Sequence, residues 1–168
     1  MTDIDPTGLP MMNANEVRII DELLETIPNG ECLEWGSGNS TLYFPKHHKL
    51  KRWVTVEDNK EYADWVFTHN TEPSVEVLWK PALEDYINCV SSQRFDFVLV
   101  DGVDGSREQC VEMATRVAKS GGIVLLHDAG RTEYQPFIEK YPHKKLSEGE
   151  IPFPNGFFAH RGIVQFIV

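Results

Sequence analysis

Glu34, Gly36, Ser37, Gly38, Ser40 and Thr41 fall within the stretch ECLEWGSGNST at positions 31 to 41, and Glu57 and Asp58 follow about twenty residues after the glycines. Glycines in a turn allow positive φ and let a ligand approach the backbone closely. A carboxylate at the distance of Glu57 can accept both hydrogen bonds of a ribose diol. Glu34, just before the glycines, would repel a pyrophosphate and favour a cationic ligand. The combination prefers a positively charged nucleoside over a dinucleotide.

A second group, Asp101, Asp104, His127, Asp128 and Arg131, lies in VDGVDGSREQC and LLHDAGR. Asp101 and Asp128 could coordinate a divalent cation such as Mg²⁺, which would orient a substrate hydroxyl and lower its pKa, or they could act without metal. His127 titrates nearest neutrality and is the leading candidate to take a proton, with Asp101 and Asp104 as alternatives. A hydrogen-bonded structural histidine is its competing role. Arg131 is a candidate partner for a substrate carboxylate, or half of a surface ion pair.

These residues need a frame. Val17, Ile20, Leu23, Leu24 and Ile27 recur at helical spacing, and Pro28-Asn29-Gly30 stops that helix. Beyond it, the apolar runs CLEW, WVTVE, VEVLW, FDFVLVD and GIVLLHD alternate with the helical patterns TLYFPKHH, NKEYADWVFTH, PALEDYINCVSS and SREQCVEMATRVAKS. Such alternation predicts a parallel sheet covered on both faces. TEYQPFIEKY predicts one more helix, and two extended segments around PFPNG predict a terminal antiparallel hairpin. Ligands of such sheets bind at the carboxyl ends of the strands, where both residue groups fall. Asn39, Ser40 and Thr41 could cap the helix that follows the glycine turn.

A chain of 168 residues suits one core and leaves no room for a separate substrate domain. Residues 1–12 are expected to be a flexible N-terminal segment and residues 13–168 a single domain. The formal charge of −10 argues against a nucleic-acid partner, because phosphate-backbone binders cluster Lys and Arg. KHHKLKR at 46 to 52 is expected to be a solvated connector. No apolar run is long enough for a membrane span, and the polar start MTDIDPTGLP lacks the features of a secretory signal, so a cytoplasmic location is expected. Cys32, Cys89 and Cys110 are odd in number and set in apolar contexts, which predicts reduced structural thiols.

From Asn13 onward the chain resembles a class I S-adenosylmethionine-dependent methyltransferase. The acidic-x-G-x-G-x-G motif of that family appears as Glu34-Trp35-Gly36-Ser37-Gly38-Asn39-Ser40, with Ser40 at the third glycine, and its glycine pair before the fifth strand appears as Gly121-Gly122. The resemblance implies a Rossmann-like, doubly wound, mostly parallel α/β/α domain with a C-terminal antiparallel hairpin. It implies S-adenosylmethionine as cofactor. Gly36 and Gly38 would pass under the methionine part, Glu34 would order the amino group directly or through water, and Glu57 would hold the ribose. Ser37, Ser40, Thr41, Asp58 and Asp101 complete the implied contacts. Where many members carry an acid for the adenine amino group, KPALED offers Pro81, so that contact falls to the backbone near Ala82 or to Glu84.

Within the family, the two loops are similar to small-molecule and sugar O-methyltransferases with V-D-G-x-H and a later H-D. Asp104 stands at the histidine of that pattern, and Ala129 follows Asp128 where catechol-type enzymes have Asn. HDAGR is also similar to the H-D-x-x-R stretch of plant glucuronoxylan methyltransferases, which implies the substrate role for Arg131. The expected acceptor is a hydroxyl on a small molecule or sugar, with nitrogen not excluded. A non-catalytic module of the same fold is the alternative. NAD-dependent oxidoreduction is disfavoured by Glu34, the missing third glycine and the chain length. Trp35 could line the pocket, and Phe157, Phe158, His160 and Arg161 could close over a substrate. Few insertions are available for a lid, so the pocket is expected to be open or completed by a second subunit in a homodimer.

Overall fold

The computed structural model describes residues 8–152 and 158–168, and in them all side chains except those of 149–152 and 158–161. Phe157 and residues 1–7 therefore lie outside the described residues, as do the side chains of Phe158, His160 and Arg161.

The first helix, α1 (Ala14–Glu25), starts at Asn13, whose side chain accepts from the Glu16 N–H at 2.9 Å while Glu16 accepts from the Asn13 N–H at 2.9 Å. This reciprocal cap satisfies two donors that the first turn leaves unpaired. Ile20 and Leu24 bury the inner face, and the helix gives way to a turn in which Asn29 takes φ 60°.

Five strands follow in alternation with helices: β1 (Glu31–Trp35), β2 (Arg52–Glu57), β3 (Val75–Trp79), β4 (Phe95–Val100) and β5 (Ala118–His127). The helices between them are α2 (Asn39–His47), α3 (Lys60–His69), α4 (Leu83–Asn88) and α5 (Arg107–Val117). A single-turn helix α6 (Gln135–Ile138) leads into β6 (His143–Pro152) and β7 (Phe158–Phe166). The sheet order is β3-β2-β1-β4-β5-β7-β6, with β1 to β5 parallel and β7 antiparallel to both β5 and β6. The doubly wound sheet and its terminal hairpin match the expectation from sequence.

Side-chain parity divides the core. Leu33, Trp35, Val54, Val56, Val98 and Val100 pack with Tyr86 of α4, Val111 and Ala114 of α5 and Phe137 of α6. Cys32, Trp53, Phe97 and Leu99 pack on the other face with Ile20 and Leu24 of α1 and Phe44 of α2. Alternation along β1 therefore sends Glu34 to the face of Cys32, directly under α2. Cys32 and Cys110 are buried, Cys89 partly so, and all three are free thiols, as expected. Burial pushes the Cys110 thiol up to about 12, which keeps it unreactive.

Two elements differ from the sequence expectation. TEYQPFIEKY is not one helix but a 3-10 turn at Thr132–Tyr134 followed by α6, with Pro136 in the first turn of α6, where its missing N–H and fixed φ break continuity. The glycine pair Gly121-Gly122 lies inside β5, where its register with β4 shifts, since that strand begins at Ala118.

The tips of β1, β2 and β4 are tied at one level. The Gly36 N–H donates to Val56 O at 2.9 Å, and the Asp101 N–H donates to Trp35 O at 2.9 Å. Order reverses between β1 and β4, so helices leave this edge on opposite faces and a crevice opens there. Gly36 takes φ 96°, and a Cβ on it would lie 2.6 Å from Asp101 O, whereas a Cβ on Gly38 would meet no atom within 4 Å. Gly36→Ala should therefore cost roughly 2 to 4 kcal/mol, while Gly38→Ser should stay within about 0.5 kcal/mol. Urea unfolding of the two variants checks this; equal losses would contradict it.

Candidate functional site

The crevice is a cleft of about 560 Å³ lined by the glycine turn, the tip of β2, the tips of β4 and β5, and Met11 from the N-terminal segment. That volume suits a nucleoside-sized ligand. Gly36, Ser37, Gly38, Ser40, Glu57, Asp58, Asp101, Asp128 and Arg131 all reach its wall, which brings together most of the residues singled out from sequence.

Glu34 does not reach the wall. Its carboxylate is fully buried and accepts from Ser40 Oγ at 2.5 Å, Thr41 Oγ1 at 2.6 Å and Trp53 Nε1 at 3.0 Å. The helix start explains this placement: Gly38 is the cap of α2, and Asn39, Ser40 and Thr41 form its first turn rather than its cap, with two of their hydroxyls turned down to the acid. Thr41 Oγ1 also accepts from the Gly38 N–H at 3.1 Å. One carboxylate thus fixes the turn and the helix behind it. From this position Glu34 supports the glycine turn from below.

Glu57 faces the cleft from the tip of β2. Its Oε2 accepts from the Ser37 N–H at 2.6 Å and its Oε1 from the Asn59 N–H at 2.9 Å. Two carboxylate oxygens offer about four acceptor sites, so capacity remains for ligand hydroxyls. Burial raises the Glu57 pKa, the two backbone donors oppose that rise, and the charge of neighbouring Asp58 adds to it. Ser37 is anchored as well, its Oγ lying 2.9 Å from Thr55 Oγ1. Asn59 and Tyr62 line the same side, although sequence reasoning passed over both. Ala82 caps α4 and stays outside the lining, as does Trp35, whose Nε1 donates to Tyr86 O at 2.9 Å.

On the opposite side, charges alternate. His127 is 1% exposed, with Nδ1 2.9 Å from Asp101 Oδ1 and Nε2 3.4 Å from Glu16 Oε2. With a carboxylate facing each nitrogen, the imidazolium form, which donates from both, suits the two contacts. Burial lowers its pKa, but Asp101, Glu16 and Asp128 outweigh burial and push it up to about 10. His127 thus bridges Glu16 and Asp101 from a buried position, and its raised pKa opposes release of its proton near neutrality. Glu16 also accepts from the Gly162 N–H at 2.8 Å, joining α1 to β7.

Arg107, not singled out from sequence, is buried at the start of α5. It donates from Nε to Gly102 O at 2.9 Å and from Nη1 to His127 O at 2.6 Å, and its Nη2 lies 3.3 Å from Asp101 Oδ1. Its signal was the position after VDGVDGS, one turn beyond a strand tip, where a long cation can reach back to strand-end carbonyls. Arg131 donates to Asp104 Oδ2 at 2.8 Å and to Asp128 Oδ2 at 2.9 Å, and Tyr134 Oη donates to Asp104 Oδ1 at 3.0 Å. Asp104 is thereby held at an exposed position by Arg131 and Tyr134. Asp128 takes φ 57°, a left-handed conformation that Asp tolerates better than most residues.

Glu34 provides a pH test of the buried support. Burial raises its pKa to about 7 against the hydrogen bonds from Ser40, Thr41 and Trp53. The folded chain therefore holds this proton more tightly than the unfolded chain, and stability is lost as pH rises from 4.5 through about 7. Relative to Glu34→Gln, the native chain should lose on the order of 3 kcal/mol between pH 4.5 and about pH 8. Urea unfolding of both proteins across that range checks it, and a constant gap would contradict it.

No protein-family model matches the sequence, and no curated protein matches it. Solved structures do. An O-methyltransferase from Bacillus cereus in complex with SAH superposes with a TM-score of 0.71 at 17% identity, over 99% of this chain and 83% of that one. The O-methyltransferase TomG from Streptomyces achromogenes, in complex with SAM, gives 0.67 at 15% identity, over 96% and 84%. A precorrin 8w decarboxylase from Methanobacterium thermoautotrophicum gives 0.69 at 17% identity, over 98% and 96%. The chain therefore has the Rossmann-like fold that these three structures share.

Proposed function

We propose that the cleft binds S-adenosylmethionine and that the chain transfers its methyl group to a hydroxyl of a small molecule or sugar. The observation that carries this reading is the shared cleft of the Gly36–Gly38 turn and the Glu57 carboxylate, one suited to close backbone approach and the other to a ribose diol. The solved structures of the same fold with SAH and SAM bound support it. The open space at Gly38 accommodates the ligand chain, and the turn offers no cluster of cations for a pyrophosphate.

When bound, S-adenosylmethionine supplies a methyl group already activated on a sulfonium. Glu57 accepts from the ribose hydroxyls, Asp58, Asn59 and Tyr62 border the adenosine, and Gly36, Ser37 and Gly38 underlie the methionine part. Ser40 and Thr41 serve this contact through Glu34, which keeps the turn in place. At the reacting end, Asp101 takes the hydrogen bond of the acceptor hydroxyl and receives its proton, with Asp128 beside it. Arg131 receives an anionic group of the acceptor, a contact for which its partial exposure leaves room. Alignment of the acceptor and exclusion of water then do most of the work.

A specific observation favours the second reading, a binding module without turnover. His127 is held between Glu16 and Asp101, and Asp104 is held by Arg131 and Tyr134, so all three expected bases, Asp101 included through His127 and Arg107, are engaged. Turnover on a panel of hydroxy acids and sugars separates the two readings.

Calorimetric titration tests the binding claim. The chain should bind S-adenosylhomocysteine and show no heat with NAD, and Glu57→Ala should weaken the former about 10- to 100-fold with an unchanged circular dichroism spectrum. Binding of NAD alone, or an unaffected Glu57→Ala, would sink it.

A further inference from the structure

Asp101, His127 and Asp128 each present a donor atom within 4.8 Å of the others, a set with the donor types of a divalent-cation site. The surroundings do not fit one. Arg107 Nη2 lies 3.3 Å from Asp101 Oδ1 and 4.0 Å from Asp128 Oδ2, so a fixed guanidinium already stands between the two carboxylates. Arg131 Nη2 lies 2.9 Å from Asp128 Oδ2, and His127 Nδ1 lies 2.9 Å from Asp101 Oδ1 and 3.7 Å from Asp128 Oδ1. For His127 to ligate, its ring would have to give up both a proton and the bond to Asp101. Residue 129, which follows on the same tip, is a buried alanine with no donor to offer. A hard cation such as Mg²⁺ needs near-octahedral oxygen ligation and tolerates no positive group against those oxygens.

Arg107 is also built in. Three of its donors are spent on the carbonyls of Gly102, His127 and Asp101, which fixes the guanidinium at the tips of β4 and β5. Arg107 and Arg131 both lie over the Tyr134 ring, at 5.6 Å and 5.7 Å from its centroid. Arg107 is buried, whereas the Arg131 side chain is 30% exposed at the cleft.

We propose that Arg107 and Arg131 are the cations of this lip: Arg107 takes the place between Asp101 and Asp128 that a divalent metal would fill, and the site works without one. The proposal deepens the methyl-transfer reading and rests on it for the role of the lip. It makes the guanidinium of Arg131, not a metal, the group that meets an oxyanion or carboxylate of the acceptor. Arginine suits that task because its planar fork pairs with such groups in two parallel bonds.

The test uses Mn²⁺ as the probe, read by electron paramagnetic resonance on the full chain, with S-adenosylhomocysteine affinity measured in parallel with and without a chelator. The native chain should bind Mn²⁺ no tighter than about 1 mM, and its cofactor-product affinity should be the same in both buffers. Arg107→Met removes the cation that stands between Asp101 and Asp128, and it should tighten Mn²⁺ binding at least about tenfold. Arg107 is buried, so circular dichroism checks that the variant folds, and if it does not the native-chain Mn²⁺ measurement decides. Native Mn²⁺ binding in the micromolar range that Asp128→Asn abolishes would overturn the proposal, as would a folded Arg107→Met with no gain. Failure of S-adenosylhomocysteine to bind at all would instead sink the methyl-transfer reading, while the Mn²⁺ result would still decide which cation occupies the lip.

Discussion

A carboxylate taken out of water without a cation beside it survives only if neutral donors surround it, and Glu34 is such a group. Ser40, Thr41 and the indole of Trp53 converge on its two oxygens. Those bonds do more than satisfy a buried acid. They lock the first turn of α2 onto the end of β1, and the only way to connect the two is the short bend at Gly36, Ser37 and Gly38. Gly36 in turn presses against Asp101 O so closely that no side chain fits. The floor of the cleft is thus a consequence of where one buried carboxylate finds its donors.

The far lip is organised by the opposite means, full charges in alternation. Glu16, His127, Asp101, Arg107, Asp128, Arg131 and Asp104 each face at least one neighbour of opposite sign. Partial burial strengthens such pairs, and each member depends on its neighbours for charge balance. The chain of contacts starts in the first turn of α1, whose capping residue Glu16 reaches β5 and β7. It also carries the preceding segment over the cleft, where Met11 lines the wall and Leu9 O accepts from Asn39 Nδ2 at 2.9 Å. No helix among the described residues is long and apolar enough to cross a membrane.

The fold was legible because its central strands β1, β2 and β4 are buried on both faces and read as continuous apolar runs, and because the glycines sit at a strand end. Which residues share the cleft was legible for the same reason: strand tips on one edge of a parallel sheet converge. The role of Glu34 was less so. Its residue type suggests a ligand contact, but strand parity aims it into the α2 face, and parity at a strand end shifts with a one-residue change in where the turn begins. Arg107 and Glu16 were missed because their partners lie on other elements: Glu16 meets a histidine 111 positions away. His127 was read by its ordinary titration, which Asp101, Glu16 and Asp128 displace. The break in TEYQPFIEKY follows from Pro136, a local signal that the apolar pattern around it masked.

The central claim is that a cleft floored by the Glu34-braced turn and walled by Glu57 holds an adenosyl ligand with its ribose on β2. A crystal structure of the chain soaked with S-adenosylhomocysteine tests this most directly. The account predicts both ribose hydroxyls within hydrogen-bond distance of the Glu57 carboxylate and the sulfur end directed toward Asp101. An empty cleft, or a ligand whose ribose lies away from Glu57, would contradict it.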